Sequence, residues 1–315
     1  MIPSFAGSRV LVTGASGFIG QKLCRRLLAA GASVVACDRG SGARIPVGCE
    51  VSVADLLNRD AVRRMLRASG ADSIVHLAAL RSSARHAAGM RAEYAMNLGV
   101  AIDLAETILE QGGCRRLVVL GSAEEYGAAP APFDPDGQAL PQTGYGLSKL
   151  AAMQVFQALV RTRAFPLTAF RATVVYGPGQ SGGMFIPSLI RALLTGERFP
   201  MTLGQQTRDF VYVDDVVDGL VRGVAAPESH AAVLHLSSGI AVPVRDVALR
   251  AAAIIGAHAR SLLDIGAISA RPGEALAYWA ENTRTRDALG WSPTVALDDG
   301  LRRTIAAIDA PAEHS

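Results

Sequence analysis

Lysine is almost absent from this chain. Of 31 basic residues in 315, 29 are arginine, and the two lysines are Lys22 and Lys149. A lysine kept against that bias is a candidate for chemistry that arginine cannot do, because an ammonium changes its proton affinity readily on burial. Lys22 also reads simply as a surface residue of a first helix. Aromatics make up 5% of the chain and charged residues 19%, while half of it is apolar. That balance excludes a disordered chain. No run approaches the roughly 18 uninterrupted apolar residues of a membrane span. The net charge of +3 comes from scattered residues, with no basic block, so neither a nucleic-acid nor a membrane partner is expected. The four cysteines, Cys24, Cys37, Cys49 and Cys114, form no CxxC pair, and the six histidines show no ligand spacing. No metal site is expected, and the thiols read as reduced packing residues. The first residues lack the charged-then-apolar layout of a secretory leader, so a cytoplasmic location is expected.

What is present is an alternation. Val10–Val12, Val34–Cys37, Ile74–Leu77, Leu117–Leu120, Leu167–Phe170 and Val233–Leu236 are short apolar runs bounded by turn residues, which predicts buried strands. Between them, Gln21–Ala30, Arg59–Ala68, Ala92–Gln111 and Ser148–Arg163 carry helical spacing. Strand, helix, strand in that order predicts parallel pairing with right-handed crossovers. The fold class is therefore α/β, a Rossmann-type doubly wound parallel sheet. After Arg171 the texture changes. Glycine and proline cluster in Tyr176–Pro187, and helices follow at Ile186–Thr195, from Asp214, at Val244–Ile255 and at Asp299–Ile308. This predicts a smaller, interleaved C-terminal α/β lobe. Asp214 and Asp215 open one of those helices and suit N-capping.

Thr13-Gly14-Ala15-Ser16-Gly17-Phe18-Ile19-Gly20 joins the first strand to the first helix. Gly14 suits a tight turn, Gly17 a close approach of backbone to a pyrophosphate, and Gly20 close helix–sheet packing. The helix start offers free N–H groups and a positive dipole to phosphates. Asp38 ends the second strand, where a carboxylate bonds ribose hydroxyls and repels the extra phosphate of NADP. NAD is therefore expected, with NADP less favoured, and Arg39 next door softens the choice.

Tyr145 and Lys149 lie four apart and share a helix face. A tyrosine that exchanges a proton near neutral pH needs its pKa lowered from about 10, and a nearby ammonium favours the phenolate. Ser122, just after a strand, is placed to hydrogen-bond the same reacting oxygen. The three together suit hydride chemistry on an alcohol or carbonyl beside a nicotinamide.

In order and spacing, TGASGFIG, Asp38, His76-Leu77-Ala78-Ala79, Asn97, Ser122, Tyr145-Gly-Leu-Ser-Lys149 and Arg171…Tyr176-Gly177-Pro178 resemble the extended short-chain dehydrogenases. The chain is most similar to their nucleotide-sugar epimerase, dehydratase and 4-ketoreductase branch. The resemblance implies that Ser122, Tyr145 and Lys149 are catalytic and that Lys149 also bonds the nicotinamide ribose. It places Asp55 and Leu56 near the adenine. Leu77, Ala78 and Ala79 line the cofactor, together with Ser16, Phe18 and Ile19 of the glycine motif. Asn97 supports the helix carrying Lys149, and His76 reads as a packed strand residue. The resemblance implies residues 1–175 as an NAD-binding Rossmann domain, with 211–238 returning to it. Residues 176–210 and 239–315 form the nucleotide-sugar lobe. A homodimer through a helix bundle is also implied, and the small and apolar residues of Ala151–Val155 suit such an interface or a core.

Two lobe segments, Gly204-Gln-Gln-Thr-Arg208-Asp209-Phe210 and Arg271-Pro272-Gly273-Glu274, carry arginines that in this branch grip a nucleoside diphosphate sugar. Charge-assisted bonds to phosphate account for that role. Around Ser122, three readings stay open. The 4,6-dehydratases carry an acid before the glutamate, and here Ala123 replaces it, although Glu124 keeps an acid/base candidate. The 4-epimerases share the Gly-Gln-Gln-Thr-Arg-Asp-Phe segment, but usually carry small or apolar residues where Glu124 and Glu125 stand, so two acids there fit them poorly. Gly121-Ser122-Ala123-Glu124-Glu125-Tyr126-Gly127 and Gly177-Pro178-Gly179-Gln180 are most similar to GDP-4-keto-6-deoxymannose reductases. The leading expectation is reduction of a 4-keto-6-deoxy sugar. Glu124 or Glu125 would orient the sugar, and Arg81 would reach it from beyond the fourth strand. One position departs from the branch: Val174 stands where an asparagine is common, three residues after Arg171.

Overall fold

The computed structural model describes residues 3–40, 42, 44–82, 87–227, 232–270 and 273–310. Seven parallel strands form the central sheet: β1 (Arg9–Thr13), β2 (Ser33–Asp38), β3 (Glu50–Val53), β4 (Ser73–His76), β5 (Arg116–Ser122), β6 (Leu167–Ala172) and β7 (Leu234–Leu236). Their order is β7-β6-β5-β4-β1-β2-β3. The order in which strands are added reverses between β1 and β4, which pair directly and in parallel. A crevice opens beyond the carboxyl ends of the strands at such a switch point.

Both sheet faces are covered, as the apolar strand runs demand. On one face lie α1 (Phe18–Ala29) and α7 (Val213–Ala225), through Leu23, Leu27, Val217 and Leu220. On the other lie α2 (Arg59–Ser69), α4 (Val100–Gln111) and α5 (Gly144–Arg163), through Met65, Leu104, Met153 and Phe156. Ala152 and Met153 of the small-residue run are buried in this second core. A third core unites α6 (Phe185–Thr195), α8 (Val244–Ile255) and α10 (Leu297–Asp309) as the C-terminal lobe. Among the described residues, no helix is long and apolar enough to cross a membrane.

Four features differ from the sequence expectations. β3 is an edge strand whose valines Val51 and Val53 are exposed, so it carries no buried apolar run to read. The helix expected over Ala92–Gln111 is broken. A short α3 (Ala87–Glu93) runs into a π-turn at Tyr94–Gly99 before α4 begins. A further short helix, α9 (Thr283–Leu289), forms where the sequence pattern predicted none. Lastly, neither Asp214 nor Asp215 caps α7, since Tyr212 holds the cap position. Asp215 is buried and accepts the backbone N–H groups of Thr294 and Val295 at 3.0 Å, stitching the C-terminal loop to the core. Asp214 pairs with Lys22 of α1 at 3.6 Å, which accounts for that lysine as a surface residue.

Candidate active site

The turn after β1 fits a dinucleotide by being stripped of side chains. Gly14 has φ of +68°, and a Cβ on it would lie 2.8 Å from the backbone N of Ala78. A Cβ on Gly20 would lie 2.1 Å from the carbonyl oxygen of Gly14. The turn therefore closes against α1 and against the strand end at Leu77–Ala78 at distances that only glycine permits. Gly17 caps α1 with no side-chain bond, and no acid stands in the first turn at Phe18 and Ile19. The positive end of the helix is thus left to a phosphate.

Asp38 is held at the edge of this crevice. Its Oδ1 accepts from Ser16 Oγ at 3.0 Å and from the Arg39 N–H at 2.8 Å. The Arg39 side chain itself is exposed. Asp55 is exposed and turns its carboxylate onto the Leu57 N–H at 3.1 Å, with Leu56 buried beside it. Ala79 stands exposed after the partly covered Leu77 and Ala78. His76 is buried, as expected of a strand residue, and shares a 2.7 Å hydrogen bond with Thr13. Burial, then the charge of Lys149, pushes its pKa down to about 3, so the ring is neutral at any ordinary pH.

Asn97 sits in the π-turn, a local widening of the helix often found at functional sites. It is buried and fully used. Its Oδ1 accepts the Leu80 N–H at 2.8 Å, and its Nδ2 donates to the Leu80 carbonyl at 2.9 Å and to Ser148 Oγ at 2.8 Å. Ser148 in turn donates to the Tyr145 carbonyl at 2.8 Å. One amide therefore fixes the loop after β4 to the helix that carries Tyr145 and Lys149.

Ser122 ends β5 and caps a short 3-10 turn. Its Oγ accepts the Glu124 N–H at 3.1 Å, while Glu125 accepts the Ser122 N–H at 2.9 Å. The Ser122 hydroxyl also meets two phenols, those of Tyr145 and Tyr278. Tyr278 was not legible in the sequence. It reaches Ser122 because its short strand pairs with Thr207–Arg208, and no local pattern announces that pairing. Tyr145 is held above its ordinary pKa, first by burial and then by Glu124 and Glu125. Arg81 and Ser122 pull the other way. Burial and the two carboxylates thus hold the phenol toward its protonated form. The pKa of Lys149 is itself lowered by burial, against the opposing charge of Glu125. Among the described residues, no carboxylate lies within 4.0 Å of its ammonium.

The two glutamates after Ser122 part company. Glu125 is fully buried and ion-paired to Arg171 at 2.7 Å, behind the strand end. The sequence reading placed it at the substrate; here its carboxylate is enclosed behind the strand end and bonded within the protein. Glu124 is half-buried. It pairs with Arg81 at 2.8 Å and accepts from Thr143 Oγ1 at 3.1 Å. Arg81 lies 5.9 Å over the Tyr145 ring. In the lobe, Arg208 bonds Glu274 at 2.7 Å and the Ala275 carbonyl at 2.9 Å, and stacks 5.6 Å over the Tyr278 ring. The neighbouring Asp209 is not its partner, since that carboxylate is buried on Ser238 and Gly239. Arg271 lies outside the described residues. Among the described residues, no cluster of His, Cys, Asp or Glu has the makings of a metal site.

Comparison with known proteins agrees with this geometry. Residues 10–235 match the model of the NAD dependent epimerase/dehydratase family. A UDP-glucose 4-epimerase of Mycolicibacterium smegmatis is 31% identical, over 94% of this chain and 97% of its own length. A dTDP-6-deoxy-L-talose 4-dehydrogenase (NAD(P)(+)) of Kitasatospora kifunensis is 30% identical, with 95% of each chain covered. Among solved structures, the dTDP-glucose 4,6-dehydratase DesIV of Streptomyces venezuelae, with NAD and TYD bound, superposes with a TM-score of 0.84. It is 26% identical, with 95% of this chain and 96% of that chain covered. With a family model matched over most of its length and a 31% identical relative covered nearly end to end, the chain belongs to the NAD-dependent epimerase/dehydratase family.

Proposed function

We propose that this protein is a 4-epimerase of a nucleoside diphosphate hexose. The observation that carries the reading is the engagement of the two glutamates after Ser122. Elimination across carbons five and six needs an acid for the departing hydroxyl. Position 123 is a buried alanine, and the Glu124 carboxylate is engaged by Arg81 and Thr143. The leading expectation, a 4-ketoreductase, rests on Gly121–Gly127 together with Gly177–Gln180. Within that stretch Glu125 caps the strand end and pairs with Arg171, and Glu124 pairs with Arg81, which weighs against a direct contact of either with the sugar.

The residues present fit NAD, which supplies a hydride acceptor when bound. Gly14, Gly17 and the start of α1 hold its pyrophosphate, and Asp38 with Ser16 holds the adenosine ribose. Asp55 and Leu56 flank the adenine, and Leu77, Ala78 and Ala79 line the crevice. Lys149 bonds the nicotinamide ribose, and Asn97 keeps its helix in register. Ser122 orients the hydroxyl at carbon four, and Tyr145 takes and returns its proton. Arg208, stacked over the tyrosine that also meets Ser122, supplies charge to the diphosphate, with Arg271 as its expected partner. The names of all three relatives share chemistry at carbon four, which supports placing the reaction there.

The 30% identical 4-dehydrogenase favours a second reading, a 4-ketoreductase of the same substrate class. Denaturing the purified protein and quantifying released nicotinamide separates the two. An epimerase returns the hydride each cycle and retains its cofactor, so near-stoichiometric NAD and interconversion of UDP-glucose and UDP-galactose are expected. An empty protein that oxidises NADH only with 4-keto sugars would replace this reading with the second. Tyr145→Phe is expected to abolish turnover and leave bound NAD in place.

A further inference from the structure

Arg81 is held more firmly than a loop arginine ordinarily is. The residue before it, Leu80, is bonded through both its N–H and its carbonyl to buried Asn97. The residue after it, Ser82, gives its N–H to buried Glu93 at 2.8 Å. Three hydrogen bonds from two buried side chains thus fix the backbone on either side of one guanidinium. That guanidinium lies over the Tyr145 ring and against Glu124. Glu124 is fixed as well, by Thr143, which caps the helix of Tyr145 by accepting the Gly146 N–H at 3.0 Å.

We propose that the Arg81–Glu124 ion pair, laid against the Tyr145 ring, sets the balance of charge around the Tyr145 hydroxyl. Arg81 is then a positioning residue that acts through Tyr145 and not a sugar contact. The inference rests on Tyr145 being the proton-exchanging group, as proposed above. Titratable groups around Tyr145 come from several elements. Glu124 and Glu125 lie beyond β5, Arg81 lies beyond β4, Lys149 is on its own helix, and Tyr278 approaches from the lobe. Of these, Glu125 is spent on Arg171. Arg81 and Glu124 are the adjustable pair, because each is partly open to solvent and held by the other. The directions agree with the geometry: Glu124 raises the pKa of Tyr145 and Arg81 lowers it.

The test exploits the opposed signs. A salt bridge that only holds the loop is broken by either replacement, so Arg81→Met and Glu124→Gln would then move the enzyme the same way. A charge setting moves it in opposite ways. Where turnover rises with ionisation of Tyr145, Arg81→Met shifts the rising limb of the pH–kcat profile to alkaline pH by about one unit. That is about a tenfold loss below the limb. Glu124→Gln shifts the limb to acid pH by a similar amount. Arg81→Lys, which keeps the charge, restores most of the wild-type position. Ultraviolet difference titration of each variant against the same variant carrying Tyr145→Phe reads the phenol directly, without turnover. Shifts of the same sign, or a Glu124→Gln enzyme inactive at all pH values, overturn the proposal and make the pair structural or Glu124 the acid/base. If Tyr145→Phe turns over normally, the proposed function fails first, a result distinct from either.

Discussion

Glu125 and Arg171 form an ion pair of 2.7 Å sealed behind the end of β5, with the glutamate wholly buried. The same carboxylate accepts the Ser122 N–H, and the Arg171 guanidinium lies 4.5 Å over the Tyr126 ring. Tyr126 continues the chain to His235 at 2.6 Å, and His235 reaches the Glu281 carbonyl at 2.9 Å. The strand end that presents Ser122 is thereby tied to the C-terminal segment through buried polar contacts.

Removing one partner of such a pair leaves a buried charge unmatched, which costs about 3–5 kcal/mol. Glu125→Gln is therefore expected to lower unfolding stability by that order in a denaturant titration. Glu125→Gln with Arg171→Met is expected to recover part of it. A Glu125→Gln protein of wild-type stability but raised KM would return Glu125 to the sugar.

Gly20→Ala places a methyl group where the Gly14 carbonyl already stands. The glycine turn must open, and the cradle for the pyrophosphate opens with it. The expected result is protein that folds but loses most of its NAD on purification, read by cofactor released per chain. Retention at the wild-type level would place the pyrophosphate elsewhere.

Two buried histidines set an acid limit on stability. Burial lowers His76 to about 3 and His235 to about 4, while an unfolded chain protonates histidine near pH 6.5. Between those values the unfolded state binds more protons than the folded one, so stability is full above about pH 6.5 and falls as pH drops. Melting temperature measured from about pH 7 to about pH 4 is expected to fall, with a shallower fall in His235→Gln. An unchanged slope in that variant would mean that His235 is protonated in the fold.

Much of the fold was legible because its signals are local. Six of the seven sheet strands are buried on both faces and so appear as apolar runs. Strand β3 escaped because an edge strand with exposed valines shows no such run. The π-turn escaped because one extra residue in a helical turn leaves the apolar spacing nearly intact, even though it is what turns Asn97 inward. The glycine turn was legible since its backbone distances admit no other residue.

The roles of Glu124 and Glu125 were not legible. Adjacent acids after a strand look alike in sequence, yet one folds back under its own strand end and the other faces Arg81, 43 positions earlier. Tyr278 was hidden for a similar reason, since it gains its place at Ser122 through a strand pairing set by the lobe.

The sequence by itself determined the fold class, the dinucleotide cradle and the Ser122, Tyr145 and Lys149 set. Each of these depends on spacing along a single strand, turn or helix. Tertiary structure alone decided which charges face Tyr145 and which are spent elsewhere. Electrostatic influence follows distance and burial, and those are set by contacts between segments far apart in the chain.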